Sequence, residues 1–260
     1  MILRRLAQNL KQQNWTAIWI EFVLLVAGVF LGLQVSNWNE ERETKQRAAV
    51  FTERLRDDLL KEAWAYEDLI QYSRETNASQ RRVLDALAGD VALSEDQFLV
   101  SAYRATQYIY NVRFRATYDE LVSTGAIGLI SDDKLRDTAM SIFTTPLLDQ
   151  ILQGARESEY RHLFRETVSA EVQQDLLDRC GDHYATVLDY DSIVGSIDYP
   201  CTLSVAPEKI RAAVAALKSQ PRFIPSLQVR FADNQTALTD LQVAYKPTLD
   251  SLRSMRRDPR

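Results

Sequence analysis

Helical spacing runs without a break through the first third of the chain, but the character of its faces changes along the way. Phe22 to Leu33 is an uninterrupted stretch of apolar residues and glycine, and beyond it Phe51, Leu55, Leu59, Ala63, Tyr66 and Ile70 return at steps of three or four. Such spacing traces one face of a helix. Neither Gly nor Pro occurs from Leu33 to Ala88. The pattern predicts a single helix to about Leu87, apolar on all sides at its start and amphipathic afterwards. Beyond Trp38 it would project roughly 70 Å at ~1.5 Å per residue. A helix of that length does not hold in water by itself, so its apolar stripe must pack on later helices or on another copy of the chain.

Further along, the punctuation is that of shorter helices. Gly89-Asp90 ends the long element, and Ser94-x-x-Gln97 is a capping box that opens a helix through about Gln107. Tyr108, Tyr110, Val112 and Phe114 alternate with Ile109, Asn111, Arg113 and Arg115. This reads as a short extended link whose aromatic side packs into the core, an aromatic binding strip being the other reading. Thr117-x-x-Glu120 is a second capping box, Gly125 suits a left-handed helix stop, and Ser131 or Asp132 can cap a helix to Phe143 before Pro146 breaks it. A helical stretch over Leu147–Leu177, interrupted near Gly154, leads into an irregular segment from 178 to 206. Pro207 fits the first turn of a helix to about Lys218. Pro221 and Pro225 separate that helix from the last one, Pro247 bends or ends it, and Arg253–Arg260 is a frayed basic tail. The predicted fold class is all-α, with an N-terminal transmembrane helix continuing into a long helix that packs in an extracytoplasmic helical bundle.

The apolar start decides where such a bundle would live. Residues 16–37 make roughly 30 Å of helix, the thickness of a bilayer core. Trp15 and Trp19 flank one end and Trp38 the other, as an aromatic belt would. Arg4, Arg5 and Lys11 also fit the basic region of a cleavable signal, but Gln34-Val35-Ser36-Asn37-Trp38 lacks a small-x-small cleavage site, which favours an uncleaved anchor. The expected layout is a cytoplasmic tail over 1–15, the span over 16–37 and a helical periplasmic domain over 38–252. Charge does not choose the orientation, because Arg42, Lys45 and Arg47 balance the three cations before the span.

Within the span, Glu21 is costly in lipid and by default points to function. At about 100° per residue, Leu25, Gly28, Gly32 and Asn39 fall within about 40° of it, so the acid, the GxxxG and the exit Asn share a face. Small residues at that spacing let two backbones approach. The face predicts association of the span with itself or with another membrane protein, besides the bilayer.

Composition adds exclusions. Hydrophobic residues at 46% suffice for a core, and a net charge of −5 with mixed signs offers no basic stripe for nucleic acid. No Gly-rich phosphate loop, G-x-S-x-G or nucleophile with an identifiable base is present, so the reading is not an enzyme and no cofactor is expected. Asp182, Asp189, Asp191 and Asp198 with His183 match no EF-hand or HExxH spacing, and a solvated acidic loop is expected there instead of a metal site. His162 reads as a surface histidine on a charged helix. Cys180 and Cys201 are the chain's two cysteines. They form either one disulfide, worth ~3 kcal/mol in an oxidising compartment, or two buried thiols.

Two blocks carry a family resemblance. Glu21–Arg42, with its Glu at the head, apolar run and Asn-Trp-Asn-Glu exit, is one, and ATYDELVSTGAIGLISDDKLRDTAMSIF, residues 116–143, is the other. Together, over about 50 of 260 residues, they resemble a bacterial family of small single-span membrane proteins whose domain is of unknown function. The resemblance implies an inner-membrane anchor with a helical domain facing the periplasm, and supplies no catalytic residues. Two functions fit: an interaction or scaffold protein, and a periplasmic sensory or ligand-binding domain that signals through a partner, since the tail before the span is too short to carry a signal itself.

Overall fold

Gly89 takes a left-handed φ of +87°, and its N–H and that of Asp90 fold back onto the carbonyls of Ala86 and Asp85. This glycine-capped end stops a helix, α1, that runs unbroken over Trp15–Ala88. The computed structural model describes residues 15–110 and 113–257. Expectations that fall on Arg4, Arg5, Lys11, Asn111, Val112 and residues 258–260 lie outside the described residues. The described residues are mostly helical and contain no strand, so the fold is all-α. By its contacts the chain divides into two units, residues 1–53 and 54–260.

In the first unit, α1 is exposed on every side. Its apolar window has a mean hydropathy of 2.2 with none of it buried. Water does not tolerate so large an apolar surface on a lone helix, and this helix is long and apolar enough to cross a membrane.

Within the second unit, α1 is instead buried nearly all round. Leu55, Leu59, Ala63, Tyr66 and Ile70 form the expected apolar face, each at most 4% exposed. Around them pack α2 (Glu95–Arg104), α3 (Ala116–Ser123), α4 (Asp133–Thr144), α5 (Leu147–Arg156), α6 (Glu159–Thr167), α7 (Ala170–Cys180), α8 (Pro207–Ser219), α9 (Phe223–Thr239) and α10 (Lys246–Arg257). Val83 of α1 belongs to a core with Phe98, Tyr160, Phe164, Leu176, Leu217 and Phe223. A smaller cluster joins Trp64 and Ala65 to Ile193 of the irregular segment.

Polar groups on α1 hold the non-helical segments. Glu62, fully buried, accepts the Phe114 N–H and the Arg113 guanidinium. Asp58 Oδ2 accepts the Thr117 N–H at 3.0 Å. Glu75 Oε1 takes the Gly195 N–H at 2.8 Å, while Oε2 takes those of Ile197 and Asp198 at 3.1 Å each. Gly195, at φ +76°, supplies the left-handed turn that lets these three N–H groups converge on one carboxylate. Arg82 grips Asp198 with two hydrogen bonds, and Arg104 donates to the Tyr199 carbonyl at 2.8 Å. The Cys180–Cys201 disulfide, with Cα atoms 5.5 Å apart, closes the segment, which excludes the alternative of two thiols.

Several expected boundaries move. Ser94 and Gln97 form their capping box and Asp132 caps α4, but Thr117 is buried inside α3 and makes no cap. Its N–H is already held by Asp58, and Glu120 instead pairs with Arg54. Gly154 lies within α5, and the 147–180 region breaks after Arg156 and after Thr167, each time before a serine that starts the next helix. Pro225 sits in the first turn of α9, where its missing N–H costs no helical bond. Pro247 begins α10, after a π-helical turn at Asp240–Ala244. The tail is not frayed from Arg253 to Arg257: this stretch is helical, and Arg253 pairs with Glu67 at 2.6 Å.

Glu75→Ala should destabilise the second unit by about 2–5 kcal/mol, because converging N–H groups lose their acceptor in a buried setting. Chemical denaturation measures the loss. Hydrogen exchange at Gly195, Ile197 and Asp198 should rise before that of α2; uniform exchange would show that Glu75 does not organise the loop.

Candidate functional site

Trp64, Asp68 and Tyr72 stand one turn apart on α1, so they form a single stripe along it. All three line a cavity of about 640 Å³ within the second unit, in the range of small-molecule sites. Its other walls include Tyr103 and Thr106 at the end of α2, the linking residues Tyr108, Ile109, Tyr110 and Phe114, Arg161 and Phe164 of α6, and Asp182 to Ala185 after α7. The linker was expected to pack its aromatics into the core. Phe114 does pack against the Trp64, Ala65 and Ile193 cluster, whereas Tyr108 is half-buried and Tyr110 is 79% exposed, and all three line the cavity. A smaller cavity of about 280 Å³ shares Tyr72, Gln107, Tyr108 and Ile109 with this one.

The walls are held in place by bonds that leave the stripe's acid free. The Trp64 indole N–H donates to the Asp189 carbonyl at 3.0 Å, which fixes the ring. Arg161 donates to the Thr106 carbonyl at 2.9 Å and lies over the Tyr108 ring at 4.7 Å. Stacking of His183 on Tyr199 at 4.0 Å and the Tyr199 hydroxyl bond to the Gly181 carbonyl steady the loop wall. In contrast, Asp68 has a buried Oδ1 without a hydrogen-bond partner, while the Tyr72 hydroxyl and the Asp182 carboxyl serve one another. Such an unpaired group is unusual, since buried polar atoms are nearly always paired.

Electrostatics separates the two acids. Burial, and then the charge of Glu75, push the Asp68 carboxyl up to about 6. Burial also raises Asp182, but the Tyr72 hydroxyl and the charges of Arg161, Arg104 and His183 work against that rise. The Tyr103 phenol is pushed up to about 12 by burial and then by Asp182. Cations thus act on Asp182, whereas among the described residues the charge that acts on Asp68 is that of Glu75.

Of the residues singled out from sequence, Cys180 and Cys201 are bonded, and their cross-link anchors the loop wall. The acidic segment is less solvated than expected: Asp198 is bound by Arg82 and Arg104, and Asp182 lines the cavity. Asp189 accepts the Asp191 N–H within a turn, and His162 is exposed. No grouping of three or more metal-ligating side chains occurs among the described residues. Glu21, Gly28, Gly32 and Asn39 are exposed on α1 in the first unit. A Cβ at either glycine would meet nothing within 4 Å, and the Asn39 amide donates to Glu43 at 3.1 Å. The stripe Trp64-Asp68-Tyr72 escaped the sequence reading. Its signal was the four-residue spacing of two aromatics about an acid. Comparison with family models, curated proteins and solved structures gives no match to the chain.

Asp68 makes a pH-dependent prediction. Its folded carboxyl, at about 6, lies above the usual carboxylate value, so the folded state holds the proton more tightly than the unfolded chain does. The cost of the charged form is therefore absent below pH ~4, grows between ~4 and ~6, and is complete above that window. Asp68→Asn mimics the protonated acid. It should stabilise the second unit by about 1–3 kcal/mol at neutral or alkaline pH, with the gain vanishing toward pH ~4. Paired denaturation curves across pH measure the difference. A destabilised variant at alkaline pH would contradict the assignment.

Proposed function

We propose that the chain is a membrane-anchored helical domain that binds a small molecule in the cavity beside α1, a sensory or ligand-binding role, not a purely structural one. The observation that carries this reading is the coincidence in one cavity of aromatic walls with Asp68, whose buried Oδ1 is left without a hydrogen-bond partner. A cavity that served packing alone would be filled or apolar. Polar groups left unpaired at a stability cost are those that a ligand can satisfy.

The same proposal places the anchor in a bacterial inner membrane with its amino-terminal side in the cytoplasm and the helical domain in the periplasm. Three observations support it: the apolar helix, the disulfide, which persists in oxidising compartments, and the resemblance of the Glu21–Arg42 and 116–143 blocks.

Binding is tested by isolating the full chain from gently solubilised membranes and identifying, by native mass spectrometry, small molecules that travel with it. Ala170→Trp places an indole at an exposed position of the cavity wall, where it can fill the space without displacing the core. A bound mass present in the wild type and lost in this variant is the expected result; retention of the same mass would place the ligand elsewhere. For topology, a reporter enzyme that needs disulfides should be active when fused after Arg260. Activity only of a reporter that folds in the cytoplasm would overturn the periplasmic placement.

A further inference from the structure

Three acids of α1 are buried within the second unit beside irregular segments, and they are served very differently. Glu62 is met by Arg113 and the Phe114 N–H, and all four acceptor positions of Glu75 are taken by Gln71, Gly195, Ile197 and Asp198. Asp68 is equally buried, at 6% exposure, yet its Oδ1 has no hydrogen-bond partner. Among the described residues no Lys, Arg or His pairs with it, and the charge that acts on it is the negative one of Glu75.

We propose that the cavity takes an organic ammonium ion, a protonated amine or its methylated form, seated against Asp68 between the Trp64 and Tyr72 rings. The inference rests on the ligand-binding reading given above and names its ligand class. Two physical terms favour the cation. A desolvated carboxylate without a counter-charge is costly, and a cation that enters the cavity removes that cost. The Trp64 and Tyr72 rings, one turn before and one turn after Asp68, line the same space, and cations are attracted to aromatic faces most strongly where water is excluded. An anion seated against Asp68 would instead meet its carboxylate. The cavity's arginines, Arg161 and Arg165, act on Tyr103 and not on Asp68, and the Arg161 guanidinium is engaged by the Thr106 carbonyl and the Tyr108 ring. A bare metal ion would find no third ligating side chain here among the described residues. The apolar body of the ligand lies along Phe114, Ile109 and Leu177, which line the same space.

The test uses three probes of one shape and different charge: benzylammonium, benzyl alcohol and benzoate. Each is titrated into the full chain in lipid nanodiscs while the indole N–H resonance of Trp64, assigned by its loss in Trp64→Phe, is followed. Benzylammonium should shift that resonance saturably, and neither other probe should do so at equal concentration. Asp68→Asn should weaken its binding by about tenfold or more, the value of one charge-assisted contact. Asp182→Asn should weaken it less, since Arg161 and Arg104 already act on that acid. An unshifted Trp64 resonance in the unliganded variants reports that they fold. Equal or tighter saturation by benzoate or benzyl alcohol, or undiminished benzylammonium binding by Asp68→Asn, would overturn the ammonium assignment while leaving the cavity a ligand site. If none of the probes moves Trp64, the ammonium assignment falls, and loss of a co-purified mass in Ala170→Trp still decides the ligand-binding reading separately.

Discussion

Backbone N–H groups in irregular segments need acceptors once water is excluded, and in this protein carboxylates of a single helix supply them. Glu62 and Glu75 each reach out of α1 to hold a stretch that makes no helix of its own, and Asp58 holds the first turn of α3. An unpaired buried N–H costs about as much as a lost hydrogen bond, so these acids are constraints on the fold more than ornaments of it. The segments they hold, 113–117 and 195–198, adjoin the residues that wall the larger cavity. Removing the acids would therefore undo the cavity before it undid the helices.

Three buried acids on one helix also provide an internal standard. Two of them are saturated with donors, and the same chain leaves the third, Asp68, short of them. Context cannot explain the difference, because the helix, the depth of burial and the surrounding helical architecture are shared. Proteins concede stability in this way chiefly at sites that act on something else.

Much of the helical architecture was legible in the sequence because it is periodic. Leu55 to Ile70 repeat at helical spacing, and Gly89, Ser94 and Asp132 mark ends through their own local chemistry. Thr117 shows where local chemistry fails. Its motif is as good as that of Ser94, but an acceptor sixty residues earlier in the chain, Asp58, takes the N–H that the cap would need. The breaks after Arg156 and Thr167 were masked by Gly154, a more obvious punctuator that the helix absorbs. The cavity was legible least. A polar residue between two aromatics on a helix reads as an exposed position when only the opposite face is counted as core. Only tertiary packing shows that α1 is covered on both sides, and that Asp68 is buried with an Oδ1 that no donor meets.

The cross-link between Cys180 and Cys201 has a consequence for when the site exists. It joins the end of α7 to the far end of the loop that carries Asp182 and His183, so it staples one wall of the cavity in place. In a reducing environment that wall would lose its covalent tie and hang on non-covalent contacts, those of Trp64, Glu75, Arg82 and Arg104 among them. Closure of that wall is then a maturation step, complete only once the two thiols have been oxidised to the disulfide.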